Sequence, residues 1–99
     1  MRNLAIGQIK YLVNQENITH LVAQKNYSMV YFSDGTSKLI AYNLKKLEEY
    51  LSNNFLFKRV HKSYIVNTNF ISNISEDGER IKLYNKTVIP IAYKLDYTA

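Results

Sequence analysis

Phe55-Leu56-Phe57-Lys58-Arg59-Val60-His61-Lys62-Ser63-Tyr64-Ile65-Val66-Asn67 is the densest local mixture of cations and aromatics in the chain. Lys58, Arg59 and Lys62 lie close together, His61 sits among them, and Phe55, Phe57 and Tyr64 flank them. Tyr64, Ile65 and Val66 read as a strand, because aromatic and β-branched side chains suit a pleated, half-buried surface. The stretch therefore reads as a cationic loop or strand end feeding into a strand anchored in a core. In such an arrangement the strand sets the geometry and the loop presents the donors, as holding charge against a polyanion requires. A plainer reading stands beside it. The cations form a solvated face and His61 is a satisfied polar residue.

The sequence on either side of this stretch reads as short strands broken by turns. Residues 18–23 form a first strand. Gln24-Lys25-Asn26 follows as a polar turn, with Asn tolerant of left-handed backbone. Residues 27–32 and 37–42 pair across Asp34-Gly35, which supplies the positive φ that a hairpin turn needs. Asn43 caps a helix in which Leu44, Leu47 and Leu51 share one face and Lys45, Lys46, Glu48 and Glu49 take the other. Its role is structural, with leucines packed on a sheet. Downstream, residues 70–74, 80–84 and 87–92 read as strands, separated by Glu76-Asp77-Gly78-Glu79 and Asn85-Lys86. Pro90 puts the last of them at an edge, because proline cannot donate to the ladder. Residues 1–13 carry apolar positions at spacings that fit helix and strand equally. The frequent turn signals favour a mainly β fold of stacked antiparallel sheets with one short amphipathic helix over a parallel sheet.

Composition narrows the function. The 99 residues carry 13 Lys and Arg against 8 Asp and Glu, a formal charge of +5. One domain of that balance favours an anionic partner, nucleic acid ahead of membrane. No cysteine is present, so there is neither a disulfide framework nor a thiolate metal site, and the cytoplasm is the expected compartment. No apolar run approaches the length of a membrane span. Gly7, Gly35 and Gly78 are the only glycines and make no phosphate loop. His20 and His61 lack metal-ligand spacing. Ser63, His61 and Asp77 supply the residue types of a hydrolase without any local motif. No catalytic residue, metal or cofactor is therefore expected.

Residues 57–67, with their His-Lys-Ser-Tyr-Ile-Val-Asn core at 61–67, resemble the signature of the LytTR family of bacterial DNA-binding domains. The flanking pieces occur in the family's order. They are the first strand ending at Asn26-Tyr27, the Asp34-Gly35 hairpin, the helix at 43–51, the strand at 70–74 and Ile89-Pro90-Ile91. The resemblance covers about residues 18–94. It implies a domain at 18–97 behind a lead-in at 1–17. Two positions depart from the family pattern. Val22 replaces a common Glu, and Ala92-Tyr93 replaces a Ser-Arg pair whose Arg contacts DNA. Tyr93 can donate a hydrogen bond or stack, but it cannot neutralise a phosphate.

The resemblance implies double-stranded DNA as partner, with loops rather than a recognition helix entering two successive major grooves. It places the contacts in three loops: Lys25, Asn26 and Tyr27; Arg59, Lys62 and Ser63; and Tyr93 with Lys94. His61 and Asn67 support the site structurally. It also implies a transcription regulator acting on paired direct repeats, with a possible homodimer on DNA and a receiver domain or regulatory partner protein in control. Each loop carries a Lys suited to phosphate neutralisation. The acidic turns at Asp34 and at 76–79 are expected to face away from DNA. A small basic β-domain that stacks single-stranded bases on exposed Tyr, or binds a protein, is the alternative.

Overall fold

Residues 15–93 are described by a computed structural model of the chain. After a short 3-10 turn at Gln15–Asn17 come β1 (Ile18–Gln24), β2 (Tyr27–Phe32), β3 (Ser37–Ile40), α1 (Leu44–Tyr50), β4 (Phe57–His61), β5 (Tyr64–Asn67), β6 (Ile71–Ile74), β7 (Arg80–Leu83) and β8 (Val88–Pro90). The strands form a five-stranded sheet in the order β3-β2-β1-β5-β4 and a three-stranded sheet in the order β6-β7-β8. Every pairing is antiparallel.

Strand alternation builds the layers. Leu21 pairs with Val30 on one side and Ile65 on the other, so the three side chains share a face. That face packs with Ile18 and Ile40 against Leu44 and Leu47 of α1 and Leu51 at its C-cap. The opposite face of β4 and β5 presents Val60 and Val66, which pack with Ile81, Leu83 and Ile89 of the small sheet. The described residues are thus layered helix, large sheet, small sheet, with β5 contributing to both cores through the neighbours Ile65 and Val66. Each of these side chains is essentially removed from water, worth about 1.5–3 kcal/mol apiece before the entropy of ordering.

The helix begins where the spacing places it. The Asn43 side chain accepts from Lys46 N at 2.9 Å, satisfying an otherwise unpaired first-turn amide. Other boundaries differ from the sequence expectation. β3 stops at Ile40 because the chain turns away towards the helix, with Ser28 Oγ donating to Tyr42 O at 2.8 Å. Phe70 lies in a 3-10 turn, Thr68–Phe70, rather than in β6. β8 is shorter than expected but does occupy a sheet edge with Pro90. Of the two readings of the cationic stretch, loop or strand end, the second holds: Phe57 to His61 is strand, so Lys58 and Arg59 are strand residues and only Lys62-Ser63 turns. A bulge interrupts its pairing with β5 between Arg59 and His61. The expected lead-in as far as residue 14, Lys94 and residues 95–97 lie outside the described residues. Among the described residues, no helix is long and apolar enough to cross a membrane.

Candidate nucleic-acid interface

The β1–β2 turn is a two-residue hairpin loop, Lys25-Asn26, closed by the pair Gln24 and Tyr27. Positive φ falls on Lys25, at 57°, and not on the expected Asn26. Lys25, Asn26 and Tyr27 are all exposed, Tyr27 by 48%. A tight hairpin with positive φ at its first central residue matches the twist of the flanking strands, so the backbone conformation is imposed by the sheet. Lys25 adopts it at a steric cost that glycine would not carry.

The β4–β5 turn places Lys62 at its exposed tip. His61 Nδ1 accepts from Ser63 N at 3.1 Å, which puts the ring proton of the neutral imidazole on Nε2. The His61 ring meets Tyr64 edge-on, with centroids 5.4 Å apart. Arg59 does not reach outward. Its Nε donates to His61 O at 2.9 Å, its Nη2 to Lys62 O at 2.6 Å and its Nη1 to Glu48 Oε1 at 2.6 Å. Asn67 is fully buried. Its Nδ2 donates to Ile18 O at 2.8 Å and its Oδ1 accepts from Asn69 N at 3.0 Å, so both ends of the amide are satisfied.

Pairing brings these segments together. Val22 sits opposite Tyr64, and just beyond that pair Ala23 N donates to Ser63 O at 2.8 Å. The two turns therefore flank one end of the large sheet. The segment after β8 reaches the same region, with Ala92 N and Tyr93 N both donating to Val60 O at 2.7 and 3.0 Å. Tyr93 is 44% exposed there. Lys25, Asn26, Tyr27, Lys62, Ser63 and Tyr93 thus share one end. Arg59 lies near it with its guanidinium already bonded.

The acidic turns divide. Asp34 closes the β2–β3 turn at the opposite end of the large sheet, where Ser33 N donates to Asn17 O. Its carboxylate accepts from Thr36 Oγ1 and Thr36 N, and those hydrogen bonds hold its pKa below the ordinary value. The second turn departs from expectation. Glu79 O accepts from Ile91 N at 2.8 Å, which sets Glu79 beside the segment leading to Tyr93. The cause is the antiparallel meander of the small sheet. Arg80 pairs with Pro90, so the turn entering β7 and the chain leaving β8 share an end. Glu48 carried no signal in the linear spacing, because its bond to Arg59 joins α1 to β4 across eleven positions.

A family model of the LytTr DNA-binding domain matches residues 9–95. The chain belongs to that family. The LytTr fold is also found in a similar solved structure, the LytTr DNA-binding domain of a protein described as a methyl-accepting/DNA response regulator from Bacillus cereus. The two are 26% identical with a TM-score of 0.67, over 78% of this chain and 72% of the other. No curated protein sequence matches the chain. As a LytTr domain, the chain is a DNA-binding domain of a family that regulates transcription.

Proposed function

We propose that this LytTr domain binds double-stranded DNA sequence-specifically, as a cytoplasmic transcription regulator, through its strand-end loops in successive major grooves. The observation that supports this reading is the hydrogen bonding of Ala23 to Ser63 and of Tyr93 to Val60. These bonds gather exposed Lys25, Asn26, Tyr27, Lys62 and Tyr93, with half-buried Ser63, at one end. Lysines there suit phosphate, and Asn, Ser and Tyr suit sugar or base edges. Two copies on paired direct repeats would double the contact surface. Lys94 would add charge beside Tyr93.

Duplex binding measured across a salt series, wild type beside Lys62→Ala, tests the reading. Affinity should fall steeply with salt, and the mutant's log–log slope should be smaller by roughly one. An unchanged slope with relaxed preference among sequences would assign Lys62 to a base instead. The exposure of Tyr27 and Tyr93 at the same end favours a second reading, base stacking on single strands. Single strands outcompeting every duplex would replace the first reading with the second.

A further inference from the structure

The Arg59 guanidinium is committed on three sides. Two acceptors, His61 O and Lys62 O, are backbone carbonyls of the β4–β5 turn, and the third is the Glu48 carboxylate on α1. The Arg59 side chain is only 19% exposed. A planar fork can hold two carbonyls and a carboxylate at once, whereas a lysine ammonium cannot reproduce that geometry. The rest of the turn is tied by Ser63 N to His61 Nδ1 and by Ala23 N to Ser63 O. Lys62 therefore projects from a backbone fixed on every side but the one facing solvent.

We propose that Arg59 is a positioning residue with Glu48 as its anchor. Together they hold the Lys62-Ser63 turn in its binding shape, while Arg59 itself touches no phosphate. The inference rests on the DNA-binding reading above. To reach a phosphate, Arg59 would have to leave charge-assisted bonds that are already made. Its charge is moreover compensated by Glu48 at 2.6 Å, so the pair adds little to long-range attraction. What it supplies is order in the turn before DNA arrives, which lowers the cost of ordering it on binding.

The sign of one substitution separates this role from plain electrostatics. Glu48→Gln removes an anion near a DNA-binding end, which by charge alone strengthens binding. The positioning role requires the reverse. Duplex affinity should weaken about three- to tenfold with the salt slope unchanged. Arg59→Lys, which keeps the charge, should weaken binding similarly, and Arg59→Ala should also leave the slope unchanged. Tighter or unaltered binding by Glu48→Gln, or a slope reduced by about one in Arg59→Ala, overturns the proposal. Amide hydrogen exchange and backbone order at Lys62 and Ser63 give a second readout without DNA. The Ser63 amide, which is bonded to His61 Nδ1, should exchange faster and the Lys62-Ser63 backbone should become less ordered in Glu48→Gln while the β1–β2 pairing stays protected, and no change in either overturns the clamp. If wild type binds no duplex, the DNA reading falls, and the amide measurement still decides the clamp.

Discussion

Lys25 holds a left-handed backbone at φ 57° with no glycine to relieve it. A non-glycine residue there costs about 1 kcal/mol, and such strain often accompanies function. Lys25→Gly should therefore raise stability by about 1 kcal/mol, seen as a melting temperature higher by roughly 4–8 °C. The same change should weaken duplex binding and lower the salt slope by about one. A less stable variant would mean that Lys25 makes compensating contacts. His20 is the other informative residue. It is buried between Thr19, which shares a hydrogen bond with its Nδ1 at 2.8 Å, and Tyr31, on which it stacks with centroids 4.5 Å apart. Burial pushes its pKa down from 6.5 to about 4. As pH falls below 6.5 the unfolded chain takes up the proton first, so stability declines, and the loss is complete once pH passes below about 4. It amounts to roughly 3 kcal/mol. Denaturant unfolding at pH 7 and pH 4.5 should show most of this loss in wild type. His20→Phe, which keeps a ring against Tyr31, should be much flatter over that interval. Neither the strain on Lys25 nor the environment of His20 was legible in the sequence. Which residue of Lys25-Asn26 turns left-handed is set by the pairing of Gln24 with Tyr27, and the burial of His20 by a sheet stacked from residues far along the chain.

At the scale of elements, the legible parts were those carried by local chemistry. Asn43 and the Leu44, Leu47 and Leu51 spacing marked α1, and the Asp34-Gly35 and Asp77-Gly78 pairs marked two turns whose glycines have φ of 92° and 74°. Asn43→Ala should cost about 1 kcal/mol, because it leaves Lys46 N without its acceptor. Asn43→Ser should recover most of that in the same melting experiment, and a neutral Asn43→Ala would show that α1 is held by its leucines alone. Strand ends were less legible, because long-range partners decide them. Ile40 is the last residue of β3 that finds a ladder partner, in Ser28, and the choice between loop and strand end at residues 57–61 is made by pairing with β5. Arg59 illustrates the limit most clearly. Its cationic neighbourhood suggests a DNA contact, but its position opposite α1 gives it Glu48 as a partner.

For the whole molecule, the two sheets arrange charge unevenly, and the acidic turns offer a test of which end meets DNA. The β1–β2 pairing runs from Gln24 opposite Tyr27 to Ile18 opposite Phe32, so the Asp34 turn stands roughly 20 Å from the Lys25 turn at about 3.4 Å per residue. That is about twice the Debye length at physiological salt. Neutralising the exposed Asp34 with Asn should thus leave duplex affinity unchanged, while the amide can still accept from Thr36. Glu79 lies beside Ile91, two residues before Tyr93. One charge at about 10 Å in water contributes some 0.4 kcal/mol, so Glu79→Gln should tighten binding about twofold at low salt and lose that advantage at high salt. The comparison depends on orientation and not on which base is read, and both substitutions remove one negative charge. Net charge alone therefore requires equal effects, whereas binding through the Lys25, Lys62 and Tyr93 end requires Glu79→Gln to act and Asp34→Asn to be silent. Equal gains, or a larger one from Asp34→Asn, would mean that DNA meets a different face of the large sheet.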